Sequence, residues 1–319
     1  MSQYRKSLPQ LSGGLFLTDG GIETTLIFHD GIDLPHFAAF HLLKDEAGAA
    51  ALRRYFARYA EIARANGTGF ILESPTWRAS ADWGEKLGYS AGALASANAR
   101  SIAMMQGLRE DLEGSGAPFV VSGCVGPRGD GYDPGAAMSA DEAQDYHAGQ
   151  IGVFAGTQAD MVTAITMTNA SEAIGLTRAA QAAGMPVAIS FTLETDGRLP
   201  TGQSLKEAIA EVDEATRRAP AYYMINCAHP THFSATLAGE GGWLRRIRGI
   251  RANASKRSHA ELNEASDLDA GDPAELGGEY RAMLRRLPHI NVLGGCCGTD
   301  HRHIEQICAA CRSAEPLPL

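Results

Sequence analysis

The chain is poor in cysteine, has no long apolar run and carries no basic cluster. Six cysteines in 319 residues fall short of the dense disulfide framework that staples small secreted domains. Residues 1–14 read M-S-Q-Y-R-K-S-L-P-Q-L-S-G-G, without an apolar core of signal-peptide length, and no stretch approaches the roughly 18 apolar residues of a membrane span. The expectation is a soluble, cytoplasmic protein with no membrane partner, in which clustered cysteines serve metal binding or catalysis. A formal net charge of -9 without a Lys/Arg stripe argues against nucleic acid as a partner. No Pro/Gly/Ser-rich linker divides the chain, and no G-x-G-x-x-G follows the first apolar run, which disfavours a two-domain doubly wound arrangement. Nor is there a heptad pattern to set an oligomeric state.

What is present is repetition. Short runs rich in Val, Ile and Phe alternate with longer amphipathic stretches, the pattern of βα units around a parallel sheet. Strands are expected at residues 14–19, 69–73, 119–123, 161–166, 186–193, 222–227, 249–253 and 290–295. Helical patterns lie between them at 46–66, 91–113, 140–158, 171–183, 204–217, 273–287 and 300–310. Eight such units in this length fit one (β/α)₈ barrel, with residues 1–319 as a single domain.

Active sites of this fold gather at the C-terminal ends of the strands, and the unusual residues of the sequence fall there. Asp19 closes the first strand and precedes Gly20 and Gly21, which would let a ligand approach the backbone closely. Glu73 closes the second strand, Cys124 the third, Cys227 the sixth, Asn253 the seventh, and the adjacent Cys296 and Cys297 the eighth. Cys227 (in M-I-N-C-A-H-P) and the pair in V-L-G-G-C-C-G-T would bring three thiolates to one point. Zinc takes thiolate ligands in tetrahedral geometry, and three protein ligands make the open, catalytic kind of site. The fourth position suits a substrate thiol, which zinc would acidify into a nucleophile able to attack a methyl group. The competing reading is a thiol–disulfide or metal-sensing barrel in which Cys296 and Cys297 form a redox-active vicinal pair.

The chain resembles the homocysteine S-methyltransferase family, which includes betaine–homocysteine and S-methylmethionine–homocysteine methyltransferases. The resemblance covers nearly the whole chain. It rests on D-G-G-I-E-T at 19–24, G-C-V-G-P at 123–127, I-N-C at 225–227 and G-G-C-C-G-T at 294–299. It implies a homocysteine-binding barrel holding zinc by Cys227, Cys296 and Cys297, with homocysteine as acceptor, methionine as product, and direct in-line methyl transfer. The donor would be a sulfonium or ammonium compound: S-methylmethionine, S-adenosylmethionine or betaine. Trp77 stands where family members commonly carry tyrosine, and a cationic donor could lie against it by cation–π attraction. Asn253 resembles the family's Asn–Ser turn beside the substrate.

Two positions depart from the family. An acidic residue is usual at the end of strand four, where it engages the amino group of homocysteine; here Ile165 takes that place. Glu73 stands where small hydroxyl residues are usual; either it takes over the ammonium contact, or the acceptor is a related thiol that lacks an amino-acid head. The remaining candidates have plainer readings. His229 and His232 in A-H-P-T-H are loop or capping residues, because Pro230 opens a helix. Cys308 and Cys311 are thiols on the last helix, and Cys124 is a small pocket-lining residue. The acidic stretch 256–272 is a candidate lid or interface loop, and Glu194 or Asp196 could reach the rim after strand five.

Overall fold

The alternating pattern folds into a closed barrel of eight parallel strands taken in chain order. The structure, a computed structural model, describes residues 2–113, 117–265 and 267–312. The strands are β1 (Phe16–Leu17), β2 (Gly69–Glu73), β3 (Phe119–Val125), β4 (Met161–Met167), β5 (Val187–Thr192), β6 (Tyr222–Asn226), β7 (Ile247–Ala252) and β8 (Val292–Gly295). The helices are α1 (Glu46–Asn66), α2 (Ala81–Lys86), α3 (Ala91–Leu112), α4 (Ala140–Ala155), α5 (Ala170–Ala182), α6 (Leu205–Thr216), α7 (Pro230–Leu237), α8 (His259–Glu264), α9 (Pro273–Arg286) and α10 (His301–Arg312). Closure comes from β1 against β8, with Phe16 opposite Val292 and Leu17 opposite Leu293.

β1 is shorter than the expected 14–19. Gly13 and Gly14 take φ values of 102° and 80°, left-handed conformations outside any strand, so the extended run cannot start earlier. Its ladder nevertheless continues past Leu17. The Thr18 amide donates to the Leu293 carbonyl at 2.8 Å, and the Gly295 amide to the Asp19 carbonyl at 3.0 Å. The stretch 256–272 also departs from expectation: it contains α8, opened by a capping box between Ser258 and Glu261.

Alternation along the strands sorts the barrel interior into layers. Phe16, Ile71, Val120, Met161, Ala188, Tyr222, Met224 and Val292 form one apolar cluster with Leu8 of the N-terminal segment. Two residues further along their strands, the same inward face carries Glu73, Ser122, Thr163, Ser190 and Asn226, all buried. The amino-terminal end of the barrel is tied off by Asp160. Its Oδ1 accepts from the Gln3 and Tyr4 amides at 2.8 and 2.7 Å, and its Oδ2 pairs with Arg109 at 2.8 Å.

Candidate active site

Three segments converge at the carboxyl end of the barrel. The turn after β1 is fastened to the loop after β8: the Gly21 amide donates to the Thr299 carbonyl at 3.1 Å, and the Gly298 amide donates to Thr24 Oγ1 at 2.9 Å. A Cβ on Gly21 would stand 2.6 Å from the Cys296 carbonyl oxygen, so only glycine permits this approach. The β7 end joins them, with the Cys296 amide donating to Ala252 and the Ala254 amide to the Cys297 carbonyl, at 2.8 and 3.0 Å. Cys227 follows β6 in a left-handed conformation, φ 52°, uncommon for a residue with a side chain and a mark of functional sites.

These ties bring Cys227, Cys296 and Cys297 together, their sulfurs within 4.8 Å of one another. Cys227 and Cys296 are joined as a disulfide, with Cα atoms 5.4 Å apart, and Cys297 is free. The pairing is therefore not the vicinal one expected of a redox-active Cys296–Cys297 pair: β6 and β8 deliver their sulfurs face to face. Cys297 Sγ lies 3.9 Å from Cys227 Sγ. Tetrahedral zinc with bonds of about 2.3 Å to sulfur holds its ligand sulfurs about 3.8 Å apart, so the reduced trio fits that ion. Burial pushes the Cys297 thiol up, and among the described residues no Lys, Arg or His is recorded in contact with its sulfur.

Beneath the cysteines, Arg251 projects from β7 among the buried residues. Its guanidinium meets Asp19 Oδ1 at 2.7 Å and donates through Nε to the Gly295 carbonyl at 3.1 Å. Asp19 Oδ2 accepts from the Tyr55 hydroxyl at 2.8 Å. Burial works to raise the Asp19 carboxyl, against Arg251 and Tyr55, while Arg251, also disfavoured by burial, is held above its ordinary value by Asp19 and Glu73. The 2.7 Å contact fixes this pair as carboxylate and guanidinium. Glu73 is buried alongside Ser122 and Thr163, and burial outweighs Arg251 to push its carboxyl up to about 7. Its Oε2 has no hydrogen-bond partner.

Further side chains gather at the rim. Trp77 donates from Nε1 to the Ile165 carbonyl at 3.1 Å, and its neighbour Arg78 stacks on Trp77 and Trp83, 4.2 and 3.6 Å from the ring centroids. Asn253 is buried, its Oδ1 without a partner. The Tyr132 hydroxyl stands 3.3 Å from Cys297 Sγ, and its ring lies 4.0 Å from the His259 ring. His259 reaches the Cys227 carbonyl through Nε2 and Glu194 through Nδ1 at 3.2 Å. Arg251, Tyr132 and His259 escaped the sequence reading. A lone charge inside the apolar run G-I-R-A was a usable signal for Arg251; the other two sit in polar loops that offered none. His229 caps α7 as expected, accepting from the Thr231 amide, and Cys308 and Cys311 are buried on α10, away from the trio.

A family model described as Homocysteine S-methyltransferase matches residues 16–311. The chain belongs to that family. Membership makes it a methyltransferase enzyme, and the family supports methyl transfer to homocysteine. Homocysteine S-methyltransferase 4 of Zea mays is 25% identical over 326 residues, spanning 95% of this chain and 91% of that protein. MmuM of Escherichia coli, a homocysteine methyltransferase, has the same fold. Its oxidized form gives a TM-score of 0.76 at 20% identity over 96% of this chain and 99% of that one; its metallated form gives 0.68 at 17% identity over the same shares. Among the described residues no helix is long and apolar enough to cross a membrane.

Proposed function

We propose that this family member is a zinc-dependent enzyme that moves a methyl group from a cationic sulfonium or ammonium donor to the thiol of homocysteine, giving methionine. The observation that carries the zinc is the convergence of Cys227, Cys296 and Cys297 sulfurs within 4.8 Å, a donor set of the soft, open kind. The ion and the Cys227–Cys296 disulfide exclude one another, because a ligand sulfur must be a thiolate. This matches a cytoplasmic, reducing setting, and MmuM is described in both metallated and oxidized forms. When bound, zinc would lower the pKa of the acceptor thiol, which the buried site does not do unaided.

The chain's own residues have three tasks. The close approaches at Gly20 and Gly21 are taken up by Tyr59, Thr299 and the Cys296 carbonyl rather than by a ligand; they set the floor beside the cysteines, which the Asp19–Arg251–Tyr55 group braces. Glu73 and the unpartnered Asn253 Oδ1 offer polar contacts at the strand ends. Arg78 covers one face of Trp77, leaving the opposite face for the donor's cation, while Tyr132 and His259 exclude water above the sulfurs. The methyl leaves with neither of its old bonding electrons, so the donor departs neutral; the acceptor sulfur forms the new bond, and the thiol proton is lost to solvent. Holding sulfur, methyl carbon and leaving atom in line is the main contribution.

The test is to reduce the protein, load it with zinc, and supply homocysteine with S-methylmethionine, S-adenosylmethionine or betaine in turn. Methionine formed from one of them, and lost in Cys297→Ser, is the expected result. No methionine from any donor, with zinc bound, would overturn the proposal.

A further inference from the structure

The family's acidic residue on strand four is absent, replaced by Ile165, and the geometry supplies a different carboxylate at the rim. Glu23 follows the D-G-G turn, in a segment tied down on either side of it. Gly21 is bonded to Thr299 and Thr24 to Gly298, which moors Glu23 beside the loop that carries Cys297. Its carboxylate is near enough to Cys297, Tyr132 and Cys124 to disfavour their ionisation, and these groups stand at the same end of the barrel.

Among the described residues, Glu23 makes no ion pair within 4.0 Å and no side-chain hydrogen bond to another residue; its own amide is its hydrogen-bond partner. The nearby cations are engaged elsewhere. Arg78 donates to the Gly129 carbonyl at 2.9 Å while stacked on two tryptophans, and Arg251 is bonded to Asp19. The other rim carboxylates are committed too: Asp19 to Arg251 and Tyr55, Glu194 to His259, and Asp300 to Arg302 and His303. Glu73 sits lower, in the buried layer with Ser122 and Thr163. Glu23 is half-buried, and burial pushes its carboxyl up to about 7, so a bound ammonium would hold it in the carboxylate form.

We propose that Glu23 binds the ammonium group of the acceptor, and so selects thiols that carry an α-amino group. This rests on the homocysteine reading above and reassigns the ammonium contact from Glu73 to Glu23. An amino-acid thiol placing sulfur at the cysteines would carry its ammonium a few bonds away, towards the β1 turn, whereas the donor's cation belongs on the Trp77 side.

The experiment measures KM and kcat on reduced, zinc-loaded protein for homocysteine, for mercaptobutyrate (the same thiol without its amino group) and for the donor, in wild type, Glu23→Gln, Glu23→Asp and Glu73→Gln. A charge-assisted contact is worth roughly ten- to a hundredfold in affinity. Glu23→Gln should raise KM for homocysteine by about that factor with kcat little changed, and Glu23→Asp should recover part of it. Mercaptobutyrate and donor constants should not move, and any rise in homocysteine KM in Glu73→Gln should be smaller than that in Glu23→Gln. An unchanged KM in Glu23→Gln, an increase confined to the donor, or a wild type that prefers mercaptobutyrate would overturn the assignment. Calorimetry with methionine on the reduced protein separates this inference from the activity itself. Wild-type binding at least about tenfold tighter than Glu23→Gln supports Glu23 even without turnover, whereas equal affinity, or binding by neither, counts against it.

Discussion

Glu73 illustrates how one side chain couples this site to stability. It is a buried carboxyl with an unpartnered oxygen, and burial raises it from 4.5 to about 7 against the pull of Arg251. The native state therefore keeps a proton that the unfolded chain has released across that interval. The stability that protonation contributes is present below the unfolded value, is lost as pH rises through the folded one, and does not return above it. The loss is on the order of a few kcal/mol. Glu73→Gln removes this titration, so its stability relative to wild type should rise between about pH 4.5 and 8; urea unfolding at the two ends reads the difference. Parallel pH dependence in both proteins would contradict it. The sequence showed Glu73, Asp19 and the three cysteines because each ends an apolar run. It could not show Glu23 or Tyr132 as site residues, since their places depend on how loops fold over the barrel mouth.

At the scale of elements, the site is a junction between the turn after β1 and the loop after β8. The glycines there are spatial requirements. Gly21 faces the Cys296 carbonyl, and backbone cannot move aside as a side chain can. Gly21→Ala should displace the cysteine loop, cost about 1–3 kcal/mol and lower zinc retention, whereas Gly129→Ala, with nothing within 4 Å of its new methyl, should do neither. Thermal melts with metal analysis check both; wild-type behaviour of Gly21→Ala would refute the junction. Periodicity recovered most elements, with α1 and β2 placed at the expected residues. It failed where local chemistry overrode the pattern, as at Gly13 and Gly14 before β1, and in the polar stretch where Ser258 and Glu261 cap α8.

For the whole molecule, barrel closure turns distant sequence into a site. Cys227 lies 69 residues before Cys296, and only the sheet order places β6 and β8 near enough to share an ion. The sequence indicated that convergence once eight strands were counted, but not which two sulfurs would meet in the oxidised chain. The amino-terminal end serves stability instead: Arg109 and Asp160 form a buried pair there, of the kind whose breaking costs about 3–5 kcal/mol. The proposed chemistry stands on the metal. Its most direct test is elemental analysis of zinc in protein purified under reducing conditions, beside Cys297→Ser. About one zinc per chain, lost in the variant, is the predicted result. Metal-free protein that takes up no zinc on reconstitution, with Cys227 and Cys296 shown to be reduced, would contradict the central claim.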